Sequence, residues 1–133
     1  MKPITAKATR ALNIGSLVTA ADNSGARIVK IVSVKHGKSR KGRQQYAKIA
    51  DWVKVSVRAG KPDMKGKVFD AVVIRQKRSY KRLTGERITF EDNAVALLKD
   101  DKGNPQGTQI KGPVAREIHE RWPQVSKIAQ FVL

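Results

Sequence analysis

Residues 52–60 read WVKVSVRAG. Successive side chains of an extended chain point to opposite faces, so Val53, Val55 and Val57 share one side and Lys54, Ser56 and Arg58 the other. The spacing predicts a half-buried strand whose outer face is basic. Downstream, KVFDAVVIRQKR (67–78) carries the continuous apolar centre Ala71-Val72-Val73-Ile74, the pattern of a strand buried on both sides. Upstream, SLVTAADNSGARIVKIVSV (16–34) holds two apolar stretches, 16–21 and 26–34, around the turn residues Asp22-Asn23-Ser24-Gly25. After LTGER (83–87), the segments ITF (88–90) and NAVALLK (93–99) add further strand character. They end at the turn cluster DDKGNPQG (100–107). Five or six short strands separated by turns predict a mainly β chain, a small closed five-stranded barrel. Closure also removes the sheet edges that invite aggregation.

The last stretch changes character. In GPVAREIHERWPQVSKIAQFVL (112–133), Pro113 and Pro123 are each suited to the first turn of a short helix, where no backbone donor is lost. Val114, Ile118 and Trp122 fall at near-helical spacing, with Arg116, Glu117, Glu120 and Arg121 assigned mostly to other faces. The expected organisation is one 133-residue domain. Residues 1–107 form a barrel with basic loops and a basic hairpin extension, and 108–133 form a C-terminal segment of two short helices packed on one side.

Composition narrows the function. The chain carries 28 Lys and Arg against 11 Asp and Glu, a net charge of +17. Residues 1–50 hold eleven of those bases against the single acid Asp22, a local +10; residues 51–100 stand at +5 and 101–133 at +2. Cations concentrated in this way are the footprint of a nucleic-acid binder. A membrane surface would call for a basic amphipathic helix, and no basic segment here has helical periodicity. The absence of cysteine removes disulfides, thiolate metal sites and cysteine nucleophiles. No apolar run approaches a membrane span and MKPITAKATR lacks a signal-peptide core, so a cytosolic protein is expected.

Two basic runs supply the candidate phosphate contacts. The first, KHGKSRKGR (35–43), offers Lys35, His36, Lys38, Arg40, Lys41 and Arg43 with no acid among them. The second, RQKRSYKR (75–82), offers Arg75, Lys77, Arg78, Lys81 and Arg82, and Tyr80 adds one ring for a base or ribose. Lys54 and Arg58 on the outer face of the 52–60 strand, and Arg27 beside the Asp22–Gly25 turn, complete the set. Seven aromatics scattered over the chain make no stacking platform, so the expected chemistry is phosphate and shape recognition of folded nucleic acid. Tyr80 has an equal alternative, packing against its own hairpin.

Catalysis finds no footing. The GKSRKG spacing satisfies G-x-x-x-x-G, yet Arg43 and Gln44 stand where a phosphate-binding P-loop needs Lys and Ser/Thr. GKPDMKGK (60–67) has its glycines one residue too far apart. His36 and His119 without cysteine do not assemble a zinc site, and Glu91-Asp92 and Asp100-Asp101 would diverge or form turns. No nucleophile, base and orienting group emerge together, and no cofactor is called for.

At AADNSGARIVKIVSV (20–34) the sequence resembles the universal large-subunit ribosomal protein fourteen family. The likeness continues through VSVRAGKPDMKGKV, AVVIRQKRSYKR, GERITFEDNA and GTQIKGPVARE, nearly the whole chain in the family's order. The unbroken AVVIRQKRSYKR and the ending RWPQVSKIAQFVL look like the archaeal and eukaryotic branch. Thr84 and Ala96 depart mildly from the family pattern, in turn preference and packing volume. The resemblance implies a five-stranded barrel bound to large-subunit rRNA at the face meeting the small subunit. Implied partners are neighbouring large-subunit proteins, small-subunit rRNA at an intersubunit bridge and an anti-association initiation factor. It further implies a protein-contact face at Thr108, Gln109, Arg116 and Lys127. Gln109 replaces an arginine of bacterial members, which argues against a bacterial-type silencing contact and leaves an archaeal-type factor open at this face. The alternative left by charge and size alone is a DNA-compacting architectural protein.

Overall fold

A computed structural model describes residues 2–36 and 41–133. In chain order its strands are β1 (Ala6–Lys7), β2 (Leu12–Asn13), β3 (Leu17–Ala20), β4 (Ala26–Val34), β5 (Tyr46–Ala47) and β6 (Trp52–Gly60). There follow β7 (Val68–Arg75), β8 (Tyr80–Arg82), β9 (Arg87–Ile88), β10 (Ala94–Leu98) and β11 (Ile110–Val114). Helices α1 (Arg116–Arg121) and α2 (Pro123–Lys127) precede the last strand, β12 (Ala129–Val132). Strands β10, β3, β4, β6 and β7 close into a barrel in that order. All neighbours are antiparallel except β10 and β3, which pair in parallel at Ala94–Thr19 and Val95–Ala20. The five-stranded barrel expected from the strand pattern is the observed fold.

Alternation explains two cores, as the two-sided burial expected of 71–74 requires. Val53, Val55 and Val57 of β6 point into the barrel with Val29, Ile31, Val73, Val95 and Leu97. On β7 the neighbours Val72 and Ile74 face outward, yet they too are fully buried, in a second core with Ile110, Val114, Ile118, Trp122 and Val125. Ala96 and Leu98 of β10 do the same. The continuous apolar runs of β7 and β10 are thus two period-two patterns interleaved, each strand serving the barrel interior and the layer covering it. Burying one such Leu or Ile completely stabilises by roughly 1.5–3 kcal/mol.

The Asp22–Gly25 turn meets the end of β6 at close range. Gly25 has φ +105° and Gly60 φ +152°, and a Cβ at position 60 would lie 2.5 Å from the Gly25 carbonyl oxygen. The approach requires glycine there. Beyond the barrel, β8 and β9 form the expected hairpin around Gly85, and β1 adds a third strand, giving the order β1-β8-β9.

The C-terminal segment is richer than two helices. Pro123 does open α2, but Pro113 lies in β11, three residues before α1 begins. Strands β11 and β12 flank the helices and pair in parallel. No helix among the described residues is long and apolar enough to cross a membrane.

Candidate nucleic-acid interface

The basic residues divide by burial. Arg75 is only 7 % exposed and works as a clip. Its Nε and Nη2 donate to Asp92 Oδ1 and Oδ2 at 2.8 and 3.2 Å, and Nη1 donates to the carbonyls of Lys111 and Pro113 at 2.8 and 3.0 Å. Gly112 leaves the space this guanidinium occupies, since a Cβ there would stand 2.8 Å from Nη1. Arg82 is buried likewise, donating from Nε to Glu117 Oε1 at 2.9 Å and from Nη2 to the Leu133 backbone oxygen at 2.6 Å. The Tyr80 hydroxyl donates to Glu117 Oε2 at 2.8 Å with the ring fully enclosed. Burial, reinforced by the Glu117 carboxylate, pushes that phenol far above its ordinary pKa. Burial works against the Arg82 cation, but its bonds to Glu117 and Tyr80 prevail and hold its pKa above the usual value.

The structure corrects the expectation that Arg75 and Arg82 are exposed, since both are buried and bonded inside the fold. Of the two readings of Tyr80 the packed one matches, because its ring is enclosed together with Ile88 of its hairpin. Glu117, assigned to a face other than that of Ile118, is the buried acid that accepts from Tyr80 and Arg82. Sequence alternation places Tyr80 and Arg82 on one face of β8, but it does not say that a helix 35 residues later covers that face.

The remaining cations stay outside. Arg27, Lys41, Arg43, Arg58, Lys77, Arg78 and Lys81 are exposed, as is His36. Lys38 and Arg40 lie outside the described residues. Arg78 Nη1 donates to the Arg10 carbonyl at 3.0 Å, and Asn93 Oδ1 accepts from the Lys77 backbone N–H at 2.8 Å, so the chain beneath these cations is fixed. Lys35 and Lys54 converge on Asp70, with Nζ to Oδ1 distances of 3.9 and 3.8 Å. Lys35 Nζ also lies 4.2 Å from the centre of the Trp52 ring.

Two groupings of cations are absent from the sequence reading, which has Lys81 without its neighbours Lys7 and Arg87 and omits the 61–67 turn. Register places Lys7 opposite Lys81 and Lys81 opposite Arg87, so three exposed cations form one row across β1, β8 and β9. The β6–β7 turn carries exposed Lys61, Lys65 and Lys67 around the buried Met64. The second group is legible in GKPDMKGK, whose three lysines fall within seven residues. The first needs strand pairing between residues 74 positions apart.

The four positions of the implied protein-contact face are all exposed. Asn23 holds the first two: its Oδ1 accepts the Thr108 and Gln109 backbone N–H at 2.7 and 3.2 Å, and its Nδ2 donates to Thr108 Oγ1 at 2.7 Å. The Ile110 N–H donates to the Ile128 carbonyl at 3.1 Å, bringing the chain at Gln109 beside that at Lys127. Arg116 starts α1 beyond the far end of β11, its N–H donating to the Leu133 backbone oxygen at 3.1 Å. The Asp22–Gly25 stretch, read as turn geometry, is thus also the strap that fastens residues 108–110 to the barrel. Among the described residues no three His, Asp or Glu side chains gather as a metal site.

Comparison with known proteins adds the lineage. A family model described as ribosomal protein L14p/L23e matches residues 11–133. The large ribosomal subunit protein uL14 of Nanoarchaeum equitans is 57 % identical over 133 residues, covering all of both chains. Those of Methanocorpusculum labreanum and Thermoplasma acidophilum are 48 and 47 % identical, again over the full length of each chain. With the barrel, its basic surface and this full-length likeness together, the chain belongs to the ribosomal protein L14p/L23e family.

Proposed function

We propose that this protein is a structural constituent of the large ribosomal subunit, anchored to large-subunit rRNA through its exposed cations and performing no reaction of its own. Its relatives carry the name of a large ribosomal subunit protein, which supports a structural role in that particle. The observation that carries the rRNA reading is the row Lys7–Lys81–Arg87. Like charges directly opposed on a sheet face are destabilising, by up to about 1 kcal/mol per pair. A fold that keeps such a row exposed is relieved when phosphates neutralise it. Arg27, Arg58, Lys77 and the 61–67 turn extend the same chemistry, while Arg75 and Arg82 hold the scaffold from inside.

Counterion release gives the test. If about 6–10 phosphates are engaged, affinity for a large-subunit rRNA fragment falls by roughly 10³-fold or more between 50 and 200 mM salt. Changing both Lys7 and Lys81 to Gln lowers the log–log salt slope by about one to two. A flat slope for the native protein overturns the electrostatic account. A chain that sediments with the nucleoid instead of the large subunit would point to the DNA-compacting alternative. The less basic C-terminal side, with Thr108, Gln109, Arg116 and Lys127, is assigned to protein contacts: neighbouring subunit proteins and an anti-association factor. The bridge to small-subunit rRNA belongs to the same proposal.

A further inference from the structure

The N-terminal segment meets the second basic run at residues 9 and 10. Thr9 Oγ1 donates to the Ser79 carbonyl at 2.8 Å, and Gln76 Nε2 donates to Thr9 Oγ1 at 3.1 Å and to the Arg78 carbonyl at 2.8 Å. Gln76 is fully buried, and its Oε1 accepts the Ile49 backbone N–H at 2.8 Å. One buried amide thus ties residues 9, 49 and 78 into a fixed base. Two exposed arginines rise from it. Arg78 Nη1 donates to the Arg10 carbonyl at 3.0 Å, and the Arg10 guanidinium lies 4.5 Å from the centre of the Tyr46 ring. Pairing of β2 with β5 sets that ring contact. Asn13 stands opposite Tyr46, Leu12 opposite Ala47, and the Ala11 N–H donates to the Ala47 carbonyl at 3.2 Å.

Neither guanidinium meets a carboxylate. The ion pairs among the described residues end on Asp51, Asp70, Asp92 and Glu117, and none reaches Arg10 or Arg78. Residues 37–40, outside the described set, read GKSR and hold no acid. The Tyr46 ring attracts a cation but lacks the paired oxygens that fit the guanidinium fork. Two like charges joined at one backbone position therefore specify an anion with paired oxygens. Lys77 and Lys81 lie beside Arg78 in the chain, and Lys81 belongs to the row with Lys7 and Arg87. The anion that fits this continuity is a chain of charges, which a phosphodiester backbone is and a single carboxylate is not. We propose that Arg10 and Arg78 clamp one short stretch of RNA backbone, each fork taking the paired oxygens of a phosphate. Tyr46 is a positioning residue: it holds the Arg10 fork before binding, which lowers the entropy lost on ordering a long side chain. This rests on the rRNA reading above. It adds Arg10 and Tyr46 to the interface, and a requirement for guanidinium that charge alone does not impose.

The test measures binding of a labelled large-subunit rRNA fragment by fluorescence anisotropy across a salt series. Arg10→Lys and Arg78→Lys keep the charge and lose the fork. Each should weaken binding about tenfold, the scale of one charge-assisted hydrogen bond, while the log–log salt slope stays that of the native protein. Tyr46→Leu should weaken binding as much as Arg10→Lys, and Tyr46→Phe, which keeps the ring, should restore it. Arg10→Lys combined with Tyr46→Leu should lose no more than either change alone, since the two act as a unit. Arg10 and Arg78 are exposed, so both lysine variants should melt with the native protein, and a folding defect in Tyr46→Leu does not decide the outcome. Native-like binding by either lysine variant overturns the proposal, because point charges then suffice. Equal losses in Tyr46→Phe and Tyr46→Leu also overturn it, since the hydroxyl would then do what is assigned to the ring. Arg10-dependent binding of polyglutamate and not of the RNA overturns it in favour of an acidic protein segment. A flat salt slope for the native protein is the separate failure of the rRNA reading.

Discussion

Asp22 shows what one residue does beyond its local role. Its Oδ2 accepts the Leu97 backbone N–H at 2.9 Å, and its Oδ1 accepts the Ser24 hydroxyl at 2.7 Å. Burial pushes its pKa above the ordinary 3.8, and the hydrogen bonds offset only part of that rise. With the folded-state value above the unfolded one, the folded chain holds more protons in the interval between them. This group's contribution to stability is therefore full below 3.8 and is lost as pH rises through the folded-state value. Asp22→Asn keeps an acceptor for Leu97 and removes the titration. Thermal melting of both proteins from about pH 3 to about pH 7 should show the native chain losing ground to the variant as pH rises. Parallel curves would show that Asp22 titrates alike in both states. The turn at 22–25 was legible because Asp, Asn, Ser and Gly mark turns locally. The partners of Asp22 and Asn23 were not, since they lie 75 and 85 residues away.

Helix α1 carries the argument to elements. It has six residues and no side-chain cap at its N-terminus, far short of the ~12–15 that make an isolated helix even marginal. Tertiary contacts hold it: Ile118 in the second core, and Glu117 between the Arg82 guanidinium and the Tyr80 hydroxyl. Removing one partner of a buried ion pair leaves the other desolvated and alone. Glu117→Ala should therefore cost about 3–5 kcal/mol in urea unfolding, whereas Glu117→Leu combined with Arg82→Met should recover most of it. A loss within about 0.5 kcal/mol for Glu117→Ala would show that solvent reaches Arg82. The same contact explains why RQKRSYKR misled as a string of surface cations. Its last three members, Tyr80, Lys81 and Arg82, alternate between β8 faces, and the inward face is capped by an element whose docking no local pattern records.

At the scale of the whole molecule, charge and cover are segregated. Residues 1–100 hold +15 of the net +17, and residues 101–133 supply much of the layer closing the second core. Their remaining exposed cations include Arg116 and Lys127. Reversing both, Arg116→Glu with Lys127→Glu, should weaken subunit joining or factor binding in reconstituted particles by roughly tenfold, while incorporation into the large subunit stays within about twofold. Failure to incorporate would show that the RNA side and the protein side have been assigned the wrong way round.

Period-two valines, turn residues at fixed places and a lopsided charge were enough to establish a small barrel with basic connectors. Each of those signals arises between neighbours in the chain and survives without tertiary knowledge. Which arginines reach solvent, which elements cover the outer faces of β7 and β10, and that Lys7, Lys81 and Arg87 stand in one row were decided by folding. Those properties depend on pairings across dozens of residues, where burial and register, and not residue type, determine whether a cation faces water or a carboxylate.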